Sequence, residues 1–251
     1  MVNYIKQYGI QRSCTNFVKV LLENNLEDTV VLTNILGWKH GPHIDKIDWE
    51  GKNWNVGQKL EDYVSSEELL NIKNAYKKER IQYIVCLKNP YAWLMSYSKY
   101  MNRQDKVRSL GSLVSEGKKF VARKRGVQLD EIREYLENWN QVHRNWANLI
   151  DTNQKCTTTK FEDLLQNPES EVKRLAAFFN EKMKDDFYLP EKKMKRGGEK
   201  MAKENSTEDK AFDKEYYNEK KYLSHFSDEM LAEVRKHIDQ RVADKLGYDI
   251  I

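Results

Sequence analysis

Ile81-Gln82-Tyr83-Ile84-Val85-Cys86-Leu87-Lys88-Asn89-Pro90 is a β-prone run that closes on a lysine, an asparagine and a proline. A continuous apolar run of this length fits a strand covered on both faces, as in a parallel sheet. Asn89-Pro90 then opens a helix, because proline suits the first helical turn. The start of the chain repeats this layout. Residues 2–10 are mostly apolar or aromatic and reach a tight exit at Gly9, and Arg12-Ser13-Cys14-Thr15-Asn16 follows as a polar turn. Phe17, Val18, Leu21 and Leu22 then recur on one face of a helix. Two strand–turn–helix units, each with a basic residue in its turn, make a receptor for a ligand with two separate anionic groups. A doubly phosphorylated nucleotide is the ligand they point to.

Outward from these units, Val30-Val31-Leu32 is the next strand and runs into Gly37-Trp38-Lys39-His40-Gly41-Pro42-His43. Residues 49–54 read as a short hairpin or loop. Ser66, with Glu67 and Glu68 behind it, starts a helix expected to end near Arg80. Leu129, Ile132, Leu136, Trp139, His143, Trp146 and Ile150 alternate steps of three and four, which predicts one long helix along the core. Cys156–Lys160 is a short strand. Asn167-Pro168-Glu169 caps a helix with Val172, Leu175, Ala176 and Phe179 facing inward. Ser227 begins a final helix expected to continue until just before Gly247. Strand–helix alternation predicts an α/β fold with a three-layer parallel sheet, helices on both faces, in a single domain over 1–251. Residues 103–127 carry little apolar pattern and read as a mobile basic lid. Residues 191–221, rich in Lys and Glu, read as a partly ordered segment.

The chain has 251 residues, 39% hydrophobic and 33% charged, with a net charge of +4. That is a polar but globular composition, long enough for a substantial core. No apolar run approaches the roughly 18 residues of a membrane span, and the N-terminus lacks a signal-peptide core. A cytoplasmic protein without a membrane partner is the expectation. Cys14, Cys86 and Cys156 show no paired spacing, so free thiols are expected and no metal site.

The first turn lacks Gly-x-x-x-x-Gly-Lys-Ser/Thr, which argues against a nucleotide kinase. It keeps the underlying physics. Backbone N–H groups of residues 12–17 sit at a helix N-terminus, where an anion is favoured. Ser13, Thr15 and Asn16 add donors, and Arg12 adds a forked, permanent charge.

These segments resemble the sulfotransferases that use 3'-phosphoadenosine 5'-phosphosulfate (PAPS). The family's Lys/Arg-Ser-Gly-Thr-Thr-aromatic turn is matched by Arg12-Ser13-Cys14-Thr15-Asn16-Phe17. Its Arg-Asn-Pro with a later serine is matched by Lys88-Asn89-Pro90 and by Ser96, eight positions beyond Lys88. Lys160-Phe161-Glu162-Asp163-Leu164 looks like the family's Tyr-Glu-Asp-Leu segment. Cys14 stands where the family has glycine, Asn16 where it has threonine, and Lys88 where it has arginine.

The resemblance implies a P-loop NTPase-like sulfotransferase fold and in-line transfer of a sulfuryl group from PAPS to a hydroxyl or amine, leaving 3',5'-adenosine bisphosphate (PAP). It implies that the turn at Arg12, Ser13, Cys14, Thr15, Asn16 and Phe17 holds the 5'-phosphosulfate, and that Lys88 and Ser96 hold the 3'-phosphate. Lys195, Arg196 and Gly197 resemble the family's late basic-glycine loop. Arg12 is the candidate cation beside the leaving oxygen. His40 is the candidate base, with His43 as the alternative, since a histidine near its ordinary pKa of about 6.5 suits proton abstraction at neutral pH. No metal is implied. The tryptophans and the basic lid suit a carbohydrate acceptor, although tryptophans more often pack in cores. The competing reading is a non-catalytic protein of the same fold that binds nucleotide or, through residues 118–125, nucleic acid.

Overall fold

β1 (Asn3–Tyr8) lies between β2 (Thr29–Leu32) and β3 (Gln82–Leu87), and β4 (Cys156–Lys160) pairs with the far side of β3. The order β2-β1-β3-β4 is parallel throughout, with Ile5 opposite Val31 on one side and Gln82 on the other. The computed structural model describes residues 2–51, 54, 64–102, 127–190 and 213–251. All but residue 127 of the stretch read as a basic lid (103–127), and the basic-glycine loop (195–197), lie outside these residues.

Alternation along the strands builds three layers. Ile5, Val31, Ile84 and Cys86 face one way, onto Phe17, Val18, Leu21 and Leu22 of α1 (Thr15–Asn25) and Val172, Leu175 and Phe179 of α6 (Pro168–Phe179). Leu164 of α5 (Phe161–Gln166) joins that layer. Tyr4, Tyr8, Tyr83, Val85 and Leu87 face the other way. They meet α2 (Ser66–Lys77), the helical residues 90–102 (α3), α4 (Leu129–Thr152) and the C-terminal helices. Trp93 of α3 and Trp139 and Trp146 of α4 are fully buried here. His143, on the same stripe, stacks on Trp139 at 4.0 Å, and burial drives its pKa down to about 3. It is a packed core residue, as its place on the stripe implies.

Two expectations need correction. The final helix is broken into α8 (Asp228–His237) and α9 (Gln240–Lys245). Asp239 caps α9 by accepting from the Val242 N–H, while Asn140 of α4 bonds both the His237 carbonyl and the Asp239 N–H. Arg144 pairs with Asp239 as well, at 2.5 Å. An Asx cap fixed from outside the helix interrupts it well before Gly247. The α2 helix starts at Ser66 as expected, with Ser65 capping it by accepting from the Glu68 N–H, but ends at Lys77 rather than near Arg80. Within the segment read as partly ordered, residues 213–221 include α7 (Lys214–Asn218), capped by Asp213.

Candidate active site at the ends of β1 and β3

From β1 the chain crosses to β2 on one flank, and from β3 it crosses to β4 on the other. Connections that diverge in this way leave a crevice beyond the carboxyl ends of the two central strands, where ligands bind in open parallel sheets. Both polar turns border that crevice.

The first turn is built mainly from backbone. Gly9 donates to the Lys39 carbonyl at 2.9 Å. A Cβ at Gly9 would lie 2.6 Å from Ser13 Oγ and 2.9 Å from Cys86 Cβ, so glycine alone lets the turn fold back onto β3. Ser13 is fully buried, and both its N–H and its hydroxyl bond the Ile10 carbonyl. Its hydroxyl shapes the turn rather than lining the crevice. Arg12 (φ 75°) and Cys14 (φ 56°) are left-handed, each at a cost of order 1 kcal/mol or more. Cys14 precedes α1 without a side-chain cap bond, so no side-chain cap satisfies the first N–H groups of that helix. Thr15 is buried, and its carbonyl accepts from Gln7 Nε2 of β1. Phe17 is packed in the core beneath.

The second turn is built from side chains. Lys88 is buried, its Nζ lying 4.5 Å from the Phe161 ring centre and 4.7 Å from that of Tyr217. Burial pulls its pKa down from 10.5 to about 8, against the opposing pull of Cys14 and Glu162. Glu162 accepts from the Asn89 N–H at 2.9 Å and from Tyr248 Oη at 3.4 Å, and burial raises its pKa. Asn89 Oδ1 in turn caps α3 by accepting from the Tyr91 N–H. The two turns meet where Arg12 Nε donates to Ser96 Oγ at 3.2 Å, with Tyr100 beneath the guanidinium at 5.9 Å.

A third segment, the loop after β2, closes the other side. Lys6 of β1, fully buried, pins it by donating to the Gly37 carbonyl at 2.6 Å and the Thr33 carbonyl at 3.0 Å. Trp146 Nε1 holds the Gly41 carbonyl at 3.1 Å. His40 Nδ1 contacts the Gly9 carbonyl at 2.5 Å. A carbonyl can only accept, so Nδ1 carries the proton and Nε2 is the basic nitrogen of the neutral ring. His43 is turned toward the core: it touches Tyr8 Oη at 3.0 Å and packs edge-on against Tyr83, and burial lowers its pKa.

Arg12, Cys14, Ser96 and Lys88 therefore converge, with His40 across the turn. Lys39, which sequence reasoning passed over in favour of its neighbour, donates to Asn16 Oδ1 at 2.7 Å and adds a second cation at the start of α1. Its signal was adjacency: neighbours in a loop point to different sides, so a histidine on one side leaves the lysine another target. Glu162 and Tyr217 also escaped assignment. Among the described residues no cluster of three or more His, Cys, Asp or Glu has the spacing to hold a metal ion, and no helix is long and apolar enough to cross a membrane. Compared with known protein families, the chain matches the one described as sulfotransferase domain over residues 8–246. A search of curated proteins finds no match.

Proposed function

The chain belongs to the sulfotransferase family, a family of transferases whose P-loop-like α/β architecture it shares, and we propose that it transfers a sulfuryl group from PAPS to a hydroxyl or amine. The observation that carries the reading is the convergence of two polar turns, each with a basic residue, joined by Arg12 Nε and Ser96 Oγ at 3.2 Å. The residues present fit the cosubstrate. A left-handed turn without a side-chain cap suits the 5' end, and the buried Lys88 ammonium suits the 3'-phosphate.

When bound, PAPS supplies an activated sulfuryl group on a phosphate leaving group. Arg12 and Lys39 stand at the start of α1, where their charges stabilise negative charge that grows on the leaving oxygen more than charge in the ground state. The α1 N-terminus adds its dipole to the same effect. His40, its tautomer set by the Gly9 carbonyl, takes the acceptor proton on Nε2. Lys88 and Ser96 hold the distal phosphate and fix the register of the molecule in the crevice. Trp38, exposed and edge-on to His40 at 5.2 Å, offers a flat surface for a ring-bearing acceptor such as a sugar.

The test is transfer from sulfur-labelled PAPS across panels of glycans, phenols, alcohols and amines, together with calorimetry of PAP, 5'-AMP and a single-stranded oligonucleotide. Transfer to one class, with PAP bound more tightly than 5'-AMP, supports the reading. No transfer together with salt-sensitive oligonucleotide binding alone overturns it.

A further inference from the structure

Lys88 is enclosed by two aromatic rings, and one of them belongs to a residue that no motif marks. Tyr217 lies on α7, held by Asp213 at its N-terminus and packed edge-on against Phe161 at 4.8 Å. Its Oη is 3.4 Å from Lys88 Nζ. An ammonium has no lone pair, so Lys88 is the donor in this contact and Tyr217 Oη is the acceptor. The phenol proton must then point elsewhere. Among the described residues no acceptor stands within hydrogen-bond distance of it. Burial holds the Tyr217 pKa up at about 12, which keeps that proton in place at neutral pH.

A half-buried donor polarised by a neighbouring ammonium is matched by an anion that accepts from both groups at once. The charges around this point favour one: Arg12 and Lys99 bear on Lys88, and Glu162, which opposes them, is engaged by the Asn89 N–H. We propose that Tyr217 is a ligand of the same phosphate as Lys88, its hydroxyl donating to the group that distinguishes a 3',5'-bisphosphate from a 5'-monophosphate. This inference rests on the reading of the crevice as a bisphosphate nucleotide site, and adds to it a residue from α7. The aromatic walls keep water from competing, and Phe161 keeps the Tyr217 ring in place.

The experiment is calorimetric titration of wild type and Tyr217→Phe with PAP and with 5'-AMP, alongside thermal melting of both proteins. Phenylalanine keeps both the ring and its packing. The expected result is that Tyr217→Phe loses about ten- to a hundredfold in PAP affinity, the size of one charge-assisted hydrogen bond, and binds 5'-AMP as wild type does. If wild type prefers PAP and the variant keeps the same preference, Tyr217 is only a wall and the inference fails while the nucleotide reading stands. Equal losses for both ligands also overturn it, since they mark a general structural role. If wild type itself does not distinguish PAP from 5'-AMP, it is the nucleotide reading that fails.

Discussion

The turns after β1 and β3 face each other across one crevice and make it attractive to anions by opposite means. The first draws on backbone: left-handed Arg12 and Cys14, an α1 N-terminus without a side-chain cap, and a glycine packed against β3. Its one strong charge, Arg12, stands at the exposed rim. The second has its cation inside, a lysine buried among Phe161, Tyr217 and Glu162. A guanidinium keeps its charge at any ordinary pH, whereas a desolvated ammonium does not. The first turn should therefore respond to changes in shape and charge but not to pH, and the second to pH.

The largest effect is expected at the rim. Arg12→Ala should lower turnover at saturating PAPS by about 10²–10³, the usual cost of removing one preorganised donor, with no change in melting temperature. Wild-type initial rates in that variant would break the distinction, since the first turn would then owe nothing to its charge. His40→Ala should cost about 10² in turnover and leave PAP affinity intact in calorimetry. His43→Ala should act instead on stability, because its ring contacts are Tyr8 and Tyr83 in the core.

Next comes the buried lysine. Lys88→Met should weaken PAP by about ten- to a hundredfold, leave 5'-AMP unaffected, and fold at least as well, because it removes a desolvated charge. With pH the lysine should act on binding and on stability in opposite directions. PAP affinity should fall as pH rises through about 8, where Lys88 loses its proton. Stability should change the other way. The folded-state pKa of about 8 lies below the unfolded 10.5, so between those values the unfolded chain binds more protons and stability grows with pH. Melting of wild type relative to Lys88→Met, followed between pH 7 and 10, isolates that contribution. Parallel curves would mean that Lys88 titrates as an ordinary surface lysine.

How far each turn was legible in the sequence follows from what builds it. Strands β1, β2 and β3 and the helices behind both turns announce themselves through local apolar pattern, β4 through its β-branched threonines, and Arg12, Lys88 and Ser96 follow from their offsets. Strand order does not, because nothing local tells β3 to pair with β1 rather than with β2. The contributions of Glu162, Tyr248 and Tyr217 to the second turn were hidden for the same reason: they lie 73 or more positions from their partners Asn89, Glu162 and Lys88. Tyr217 sits in a Lys- and Glu-rich stretch with no periodicity to mark it. The break between α8 and α9 was missed because Asn140 and Arg144, a whole domain's width of sequence away, stabilise the cap that makes it.

The smallest effect tests whether the first turn truly depends on backbone shape. Cys14 has φ 56° and packs partly against the cluster of Phe17 and Val18, so substitution changes both strain and burial. Glycine removes the strain, about 1–3 kcal/mol for a left-handed residue, but costs about 0.5–1 kcal/mol in unfolded-state entropy. Alanine keeps the strain and loses the sulfur contact. Melting should therefore rank Cys14→Gly above Cys14→Ala by about 1 kcal/mol, the reverse of the order expected for a residue in an ordinary helical conformation. Both variants remove the pull of Cys14 on Lys88, so any shift in the pH dependence of PAP binding should be the same in the two. Equal stability for the two would mean that the turn relaxes out of the left-handed region in solution, and the contrast with the second turn would then lose its structural basis.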